Sequence, residues 1–351
     1  MSFFRPAVDT LQPYVPGRQP AAGARIVKLN TNENPYPPSP RAMAALAALD
    51  GDELRRYPDP SSREFREAAA ETLDVDPAWI LAGNGSDDVL TMLVRAVTGP
   101  GRPVVYPAPT YVLYRTLAGI QEAPVVEVPF DDDFVLPVAA LAEAGGALTF
   151  VANPNSPSGT AAPTSILADL ADSLDGLLVI DEAYVAFAEG DAVDLVRRRS
   201  NVVVLRTLSK SHGLAGLRLG YAVAPPAVLE GLGKVKDSYN VGAVANRVGA
   251  ATIRDTSYAH RIAGRIVESR RRLDGRLKEL GCRVWPSQAN FLLVRPPDGD
   301  AARVHRRLEE FGVLVRYFDE PALAETLRIT VGTDEENAAL LDALLQILQG
   351  Q

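Results

Sequence analysis

The chain has 351 residues, of which 47% are hydrophobic and 23% charged, a composition typical of an enzyme with one large and one smaller domain, or two similar domains. Its net charge of −8 argues against broad binding to nucleic acid or an anionic membrane, but it is compatible with a local basic pocket. Cys282 is the only cysteine, which excludes an internal disulfide and a cysteine-cluster metal site, and three scattered histidines argue against a histidine-based one.

The beginning of the chain, "MSFFRPAVDTLQPYVPG", lacks the apolar core of a signal peptide. No apolar run approaches the roughly 18 residues that a membrane-spanning helix needs. We therefore expect a cytoplasmic protein without a membrane contact. The proline-rich stretch "LNTNENPYPPSP" predicts that residues 1–45 form an extended arm.

The middle of the chain alternates short apolar runs with segments of helical periodicity. The predicted strands are residues 102–107, 124–129, 147–153, 176–181, 201–207 and 219–224, and residues 164–174 are one of the predicted helices. This alternation predicts an α/β fold with a mainly parallel sheet covered on both faces. Ligands of such sheets bind beyond the carboxyl ends of the strands. Asn153, Asp181 and Lys210 all fall there.

The pattern changes after about residue 246. A long basic helical region, "RIAGRIVESRRRLDGRLKELG", precedes four predicted strands, "CRVWP", "NFLLVRP", "VLVRYF" and "TLRITVG". A last helix begins at "TDEENAALLDALL", where Thr333 and Glu336 have the spacing of a capping box. Residues 246–351 are therefore predicted to form a smaller α+β domain, after a large domain at residues 46–245.

Asp181 and Lys210 are the first candidates for chemistry. An acid that ends an apolar strand is either a helix cap or a buried carboxylate facing a cationic group, such as a protonated ring nitrogen. Lys210 lies 29 residues further on, at the end of the next predicted strand. Its ordinary interpretation is an exposed loop lysine. Its placement near Asp181 is that of a lysine that forms a Schiff base.

A phosphate site is predicted near "LAGNGSDD". This stretch indicates a glycine-containing turn followed by a helix that begins near Ser86, whose first N–H groups would face an anion. Ser86 as an ordinary N-cap is the alternative. Ser209 and Arg218 flank Lys210 and would complete a phosphate cup. An acid, a lysine and a phosphate cup together describe a site for pyridoxal phosphate.

Several motifs carry a resemblance to known enzymes. "RTLSKSHGLAGLRLGY" resembles the lysine motif of fold type I aminotransferases, "VIDEAYVAF" their aspartate motif and "NPNSPSGT" their Asn-Pro-Thr-Gly loop. "LNTNENPYPPSP", "RRYPDP", "LAGNGSDD", "YPAPTYVLY" and "LRITVGT" narrow the resemblance to the histidinol-phosphate aminotransferase family. It covers about residues 11–348. It implies the α/β fold of a fold type I pyridoxal-phosphate transferase.

The resemblance also implies roles for single residues. Lys210 would bind the cofactor and carry a proton between it and the substrate's α-carbon. Asp181 would pair with the pyridine nitrogen, Tyr184 would hydrogen-bond the phenolic oxygen, and Tyr111 would stack on the ring. The residues implied for the cofactor's phosphate are Ser86, Asp87, Ser209, Arg218 and, from a second subunit, Tyr57.

One position departs from the family's pattern. The family usually has two asparagines before Pro-Thr-Gly, and the second contacts the cofactor's phenolic oxygen. Here Ser156 occupies that second place after Asn155. A shorter hydroxyl still donates one hydrogen bond, directly or through water. We therefore take Asn155 as the cofactor-binding candidate and leave open whether Ser156 replaces it.

The implied reaction is transamination between L-histidinol phosphate and 2-oxoglutarate, giving imidazole-acetol phosphate and L-glutamate, in L-histidine biosynthesis. The implied protein is a homodimer that binds only small-molecule substrates. Arg316 and Arg328 match the family's anion-binding arginines. Tyr14 and Glu33 of the arm and Tyr239 would shape the imidazole end.

Four alternatives remain open at this point. The same scaffold suits an aromatic (phenylalanine) aminotransferase or a decarboxylase of a phosphorylated amino acid. A cofactor-sensing regulator would need a DNA-binding domain, for which 351 residues leave no room. A nicotinamide dehydrogenase is disfavoured because "GNGSDD" lacks the third glycine of the dinucleotide fingerprint.

Overall fold

The computed structural model describes residues 2–11, 17–19 and 26–350, and a seven-stranded sheet is its central feature. The strands are β1 (Val27–Lys28), β2 (Ile80–Gly83), β3 (Val104–Ala108), β4 (Val125–Pro129), β5 (Leu148–Ala152), β6 (Leu177–Asp181), β7 (Val202–Thr207), β8 (Gly220–Val223), β9 (Arg283–Val284), β10 (Phe291–Arg295), β11 (Val313–Leu314), β12 (Arg316–Tyr317) and β13 (Leu327–Thr330).

Helices connect most of these strands. The α-helices are α1 (Pro6–Asp9), α2 (Pro40–Ala47), α3 (Gly51–Leu54), α4 (Arg63–Leu73), α5 (Ser86–Val97), α6 (Leu113–Ile120), α7 (Val138–Glu143), α8 (Thr164–Asp172), α9 (Val193–Arg198), α10 (Pro226–Gly233), α11 (Ala243–Ile253), α12 (Thr256–Glu279), α13 (Ala301–Glu310) and α14 (Asp334–Leu348). Short 3₁₀ helices lie at Pro77–Trp79, Val185–Phe187 and Ala215–Leu217. Within the described residues, no helix combines the length and apolar character that crossing a membrane requires.

The large sheet has the strand order β2-β8-β7-β6-β5-β3-β4. The strands from β7 to β4 run parallel, whereas β8 pairs antiparallel with both β7 and β2. Each strand predicted for the middle of the chain overlaps one of β3 to β8. The prediction of an α/β fold with a mainly parallel sheet is confirmed.

Both faces of this sheet are buried, as the near-continuous apolar strands predict. Along β7, Val202 and Val204 pack into the apolar cluster on one face, together with residues of α4, α8 and α11. Val203 and Leu205 pack into the cluster on the other face, with residues of α5, α6 and α10. Because strand side chains alternate between faces, this division leaves the strand ends as the open edge of the sheet.

A smaller antiparallel sheet follows in the second part of the chain, with the strand order β12-β13-β10-β9. Its apolar residues pack with α13, α14 and the end of α12. The capping box that begins α14 is present: Thr333 Oγ1 accepts from Glu336 N at 3.2 Å, and the Glu336 carboxylate accepts from Thr333 N at 2.8 Å.

Two predicted elements differ from the structure. The segment "VLVRYF" was expected to be one strand, but it forms β11, which pairs in parallel with β1 of the arm, and β12, which joins the antiparallel sheet. The two pairings lie in different sheets, so the chain changes sheet at Val315. The alternative interpretation of Ser86, as the N-cap of a helix, is also wrong. Gly85 is the N-cap, and Ser86 is the first helical residue of α5.

The domain division at residue 245 stays a prediction. This position lies inside α11, whose residues Val248, Ala250 and Ile253 belong to the cluster under the large sheet.

Candidate active site

The carboxyl ends of β5, β6 and β7 open into a cavity of about 230 Å³, which we call the site cavity. Its lining residues are Thr31, Glu33, Ser86, Asp87, Tyr111, Ala152, Pro154, Ser156, Asp181, Ala183, Tyr184, Thr207, Ser209, Lys210, Ala215 and Arg218. The structure therefore brings together residues that are far apart in the sequence, at the edge of the sheet where the strand pattern predicts a ligand.

Asp181 is the last residue of β6, and only 5% of it is exposed. One carboxylate oxygen accepts from the hydroxyl of Tyr114 at 2.8 Å, and the other accepts from Ala183 N at 3.1 Å. Burial raises the pKa of Asp181 to about 6, although both hydrogen bonds and the nearby Lys210 charge oppose the rise. A buried carboxylate of this kind is strongly stabilised by a cationic partner.

Lys210 follows β7 and is half-buried in the site cavity. Its Nζ donates to the carbonyl oxygen of Thr31 at 3.2 Å and lies 5.8 Å from the centre of the Tyr184 ring. The Asn34 amide donates to the backbone oxygens of Lys210 and Ser211, at 2.9 and 3.0 Å. The N-terminal arm therefore contacts both the side chain and the backbone of this lysine.

The start of α5 forms one end of the site cavity. Gly85 has a φ of +85°, and a Cβ atom there would lie 2.7 Å from Nη2 of Arg218. Gly220 has as little space for a side chain, because a Cβ atom there would lie 2.3 Å from Ser86 N. Only glycine keeps the backbone at this helix start open to an anion. Arg218 forms an ion pair with Asp87 at 3.1 Å, and Ser209 Oγ accepts from Thr207 Oγ1 at 3.0 Å.

Two tyrosines border the space above Asp181. Tyr111 donates from its hydroxyl to Asp87 Oδ1 at 3.2 Å, and the hydroxyl of Tyr184 accepts from the Asn32 amide at 2.9 Å. Burial raises the pKa of Tyr111 well above its usual range, so its hydroxyl stays protonated. Both tyrosines line the site cavity, and their roles in stacking on a cofactor and hydrogen-bonding to it stay predictions.

Asn155 is not among the residues that line the site cavity. Its side-chain amide already has partners: the oxygen accepts from Thr110 Oγ1, which follows β3, at 2.7 Å, and the nitrogen donates to Ser158 Oγ of the same loop at 2.9 Å. Ser156 lines the site cavity instead, and its hydroxyl accepts from Nη1 of Arg328 at 3.0 Å. The structure thus places Ser156, rather than Asn155, beside the cavity.

Arg316 and Arg328 are direct partners in the pairing of β12 with β13, so both side chains lie on one face of the small sheet. The guanidinium groups lie 5.3 and 5.5 Å from the same Phe318 ring. Arg328 also donates to the carbonyl oxygen of Asn30 at 3.1 Å. Two like charges in opposed positions favour an anion between or beside them.

The remaining predicted residues have different placements. Glu33 lines the site cavity and pairs with Lys28. Burial tends to raise the pKa of Glu33, but hydrogen bonds from Lys28 and Thr31 bring it below its usual value. Tyr57 and Tyr239 are exposed and stack on each other, with ring centres 4.6 Å apart, and neither lines the site cavity. Tyr14 lies outside the described residues.

The lining of the site cavity fits the pyridoxal phosphate predicted from the sequence. It combines an amine, Lys210, with a buried carboxylate, Asp181, whose charge needs a cationic partner, and with the start of α5 after Gly85, a position that suits an anion. Within residues 2–11, 17–19 and 26–350, no group of three or more His, Cys, Asp or Glu side chains has an arrangement that would hold a metal ion.

Comparisons with known proteins agree with this geometry. The family described as "Aminotransferase class I and II" matches residues 24–344. The chain belongs to the class I and II aminotransferases. It is 53% identical over 348 residues to histidinol-phosphate aminotransferase 1 of Trichormus variabilis, with 99% of both chains covered. It is 47% identical to histidinol-phosphate aminotransferase of Geobacter sulfurreducens, with 98% of this chain and 99% of the relative covered.

A solved structure shows the same similarity. The histidinol-phosphate aminotransferase of Sinorhizobium meliloti, in complex with pyridoxal-5'-phosphate, superposes with a TM-score of 0.92 at 29% identity. The match covers 100% of this chain and 98% of that one.

The sequence reasoning missed some residues of this aminotransferase that line the site cavity or bind its lining residues. Tyr114 donates a hydrogen bond to Asp181, but nothing in the sequence distinguishes it from a core aromatic. In the structure it is fully buried and stacks on Phe150 with ring centres 4.5 Å apart. Two residues of the arm were also missed: the Asn32 amide donates to the Tyr184 hydroxyl, and the Thr31 carbonyl oxygen accepts from Lys210 Nζ. The only available signal was the polar run "NTNEN" inside a motif already recognised.

Proposed function

We propose that this aminotransferase transfers the amino group of L-histidinol phosphate to 2-oxoglutarate, giving imidazole-acetol phosphate and L-glutamate, in L-histidine biosynthesis. The observation that carries the proposal is the pair of opposed arginines, Arg316 and Arg328, of which Arg328 donates a hydrogen bond to Ser156 in the lining of the site cavity. The names of the relatives in Trichormus and Geobacter support the choice of substrate.

Pyridoxal phosphate is the proposed cofactor, and the residues named above would hold it. When bound, it supplies a carbon that binds the substrate's amine and a ring that withdraws electrons from the α-carbon. Asp181 would hold a proton on the ring nitrogen, for which its burial and its position at the end of β6 are suited. Lys210 Nζ would move the proton at the substrate's α-carbon. The helix start at Ser86, with Ser209 and Arg218, would bind the phosphate.

The two substrates pose a particular problem of recognition. Glutamate has a carboxylate on its α-carbon, whereas histidinol phosphate has a phosphate and no carboxylate. Arginine suits both, because its planar fork binds either anion in a bidentate manner, and lysine offers only a point charge. Arg316 and Arg328 would therefore take both anions in turn, while Glu33 accepts the imidazole N–H from the arm.

The experiment that tests the proposal is a transamination assay of the purified protein with glutamate and a panel of keto acceptors. Imidazole-acetol phosphate is expected to give the highest kcat/KM. A higher kcat/KM with phenylpyruvate would instead select the aromatic aminotransferase.

We expect Arg328→Lys to lower kcat/KM for both glutamate and histidinol phosphate by roughly ten- to a thousandfold, because it loses about 1.4 to 4 kcal/mol of bidentate binding. Arg316→Ala should lower kcat/KM for histidinol phosphate more than for phenylalanine, which has no phosphate. Arg295→Lys is the matched control, since Arg295 lies on neighbouring β10 and pairs with Glu325 at 2.7 Å. If Arg316→Ala leaves histidinol-phosphate turnover unchanged and phenylalanine is the preferred donor, the aromatic aminotransferase replaces our proposal.

We further propose that the protein acts as a homodimer in the cytoplasm. The exposed Tyr57, 82% of which is accessible, is the feature that a second subunit would use. A large exposed aromatic next to another one, Tyr239, is typical of a surface that contacts a partner.

A mixture of two inactive variants tests whether the sites are shared. Lys210→Ala and Tyr57→Ala subunits, mixed under exchange conditions, are expected to regain about a quarter of wild-type activity per chain, because half of the dimers would be hybrids with one intact site. Mixing Lys210→Ala with Asp181→Asn is the control and should restore nothing, since both residues belong to one chain's cavity. Equal activity in the two mixtures would place Tyr57 in its own subunit's structure.

A further inference from the structure

A second cavity, of about 720 Å³, lies between the large sheet and α12, and Ala152 is the one lining residue that it shares with the site cavity. Phe130, Val135, Val138 and Leu292 belong to its apolar wall, and Arg270 belongs to its polar wall. Its volume falls within the range of sites that bind small molecules, and an apolar wall with few polar groups is the usual lining of such sites.

Arg270 is the unusual member of this wall, because only 9% of it is exposed. Both hydrogen bonds that it makes within the described residues come from Nη1, to the carbonyl oxygens of Phe187 at 3.3 Å and Ala289 at 2.6 Å. Nε and Nη2 of Arg270 donate to no acceptor within the described residues. Their N–H groups form one edge of the planar guanidinium, the edge that matches a carboxylate.

The charged neighbours do not neutralise Arg270. Asp274 pairs with Lys278 at 2.8 Å, and Asp133, across the cavity, pairs with Arg283 at 3.0 Å. The third carboxylate of the lining, Glu189, is exposed and forms no ion pair with Arg270 within 4.0 Å in the described residues.

The protonation of Arg270 follows from this setting. Burial, together with the charge of Arg271, lowers the pKa of Arg270 to about 10, while Glu189 and Asp274 act in the opposite direction. The guanidinium stays charged at neutral pH, but a buried charge without an ionic partner is destabilising. A bound anion would offset that cost.

We propose that the second cavity binds a small organic carboxylate with an apolar or aromatic body, whose carboxylate pairs with the free edge of Arg270. The apolar wall takes the body of the ligand, and the guanidinium takes its charge. This site is separate from the anion-binding arginines of the active site and adds a ligand to those that the transamination needs.

The second cavity is one loop away from the site cavity. Pro154 and Ser156 of the loop 153–162 line the site cavity, whereas Asn153, Asn155 and Thr160 line the second cavity. The loop is fixed to the segment before β10, because Gln288 N donates to the carbonyl oxygen of Gly159 at 2.7 Å. An occupant of the second cavity would therefore contact the back of the active-site wall.

The test is a calorimetric titration of the cofactor-loaded protein with indoleacetate and with its neutral amide, indoleacetamide. Indoleacetate is expected to bind once per chain, and the amide at least about tenfold more weakly, because a charge-assisted pair is lost. Arg270→Lys keeps the positive charge but loses the planar guanidinium, so it should weaken the binding of indoleacetate by about ten- to a hundredfold. Val135→Glu places a repelling charge on a wall residue that is 62% exposed, so it should weaken binding without harming the fold.

Three control variants locate the binding. Arg276 is an exposed residue of α12 that pairs with Glu279 at 3.0 Å, and Leu345 lies on the exposed face of α14. Arg276→Lys and Leu345→Glu should leave the affinity for indoleacetate unchanged. Arg328→Lys should also leave it unchanged. If only Arg328→Lys weakens indoleacetate, the anion binds in the active site and the proposal is wrong. It is equally wrong if indoleacetate does not bind, if the amide binds as well, or if Arg270→Lys and Val135→Glu both keep wild-type affinity.

Discussion

Lys210→Ala is expected to abolish transamination and leave the fold intact. Lys210 carries the only side-chain amine among the residues that line the site cavity. No other lining residue offers a base that could replace it. Losing the proton transfer alone lowers kcat by about 10² to 10⁴, and losing the covalent attachment of the cofactor adds to this. The fold should survive because the side chain's own hydrogen bond is a single 3.2 Å contact to Thr31.

The measurement is kcat with glutamate and imidazole-acetol phosphate, together with far-UV circular dichroism as the check on folding. Lys234→Ala, an exposed lysine at the end of α10, is the matched control and should retain wild-type kcat. Adding a small primary amine should restore part of the activity of Lys210→Ala only. An active Lys210→Ala enzyme without added amine would remove Lys210 from the chemistry.

The positions of Asp181 and Lys210 were predictable from the sequence for a physical reason. Both follow apolar runs of the length of a buried strand, and parallel strands end at the same edge of a sheet. No three-dimensional information is needed to bring two such strand ends together. The start of α5 was less readable: the sequence indicated a glycine-containing turn before a helix near Ser86, but it left Ser86 open as the N-cap, a position that Gly85 takes in the structure.

Other features depend on packing that a sequence pattern does not contain. The residues Asn155 and Ser156 are neighbours, and which of them faces the cavity depends on the path of a loop held by contacts with residues 287–288. In the same way, "ESRRRLDGR" reads as a solvated basic helix face. The burial of Arg270 comes from α12 packing against Phe187 and Ala289, which are 83 and 19 residues away in the chain.

Asp181→Asn is expected to lower kcat by at least about a hundredfold, because about 3 kcal/mol of transition-state stabilisation is lost when the ring nitrogen loses its proton. Asparagine has nearly the same shape, and its amide still accepts a hydrogen bond from Tyr114 or from Ala183, so the cavity should keep its form. Asp194→Asn, at an exposed carboxylate on α9, is the control and should keep wild-type kcat. Near-wild-type activity of Asp181→Asn would contradict the pairing with the cofactor.

Protein stability without cofactor gives an independent check on the same carboxylate. Because burial raises the pKa of Asp181 from 3.8 to about 6, its ionised form is disfavoured in the folded state. This destabilisation of the folded state is absent below the pKa of Asp181 in the unfolded state, and it is complete above its pKa in the folded state. The asparagine side chain does not titrate, so the free energy of unfolding of Asp181→Asn should rise relative to wild type by about 2 kcal/mol between about pH 4 and about pH 8. Urea unfolding of both cofactor-free proteins across this range measures the difference. A constant difference would mean that Asp181 is not held in a destabilising setting, and that its charge needs no partner from the cofactor.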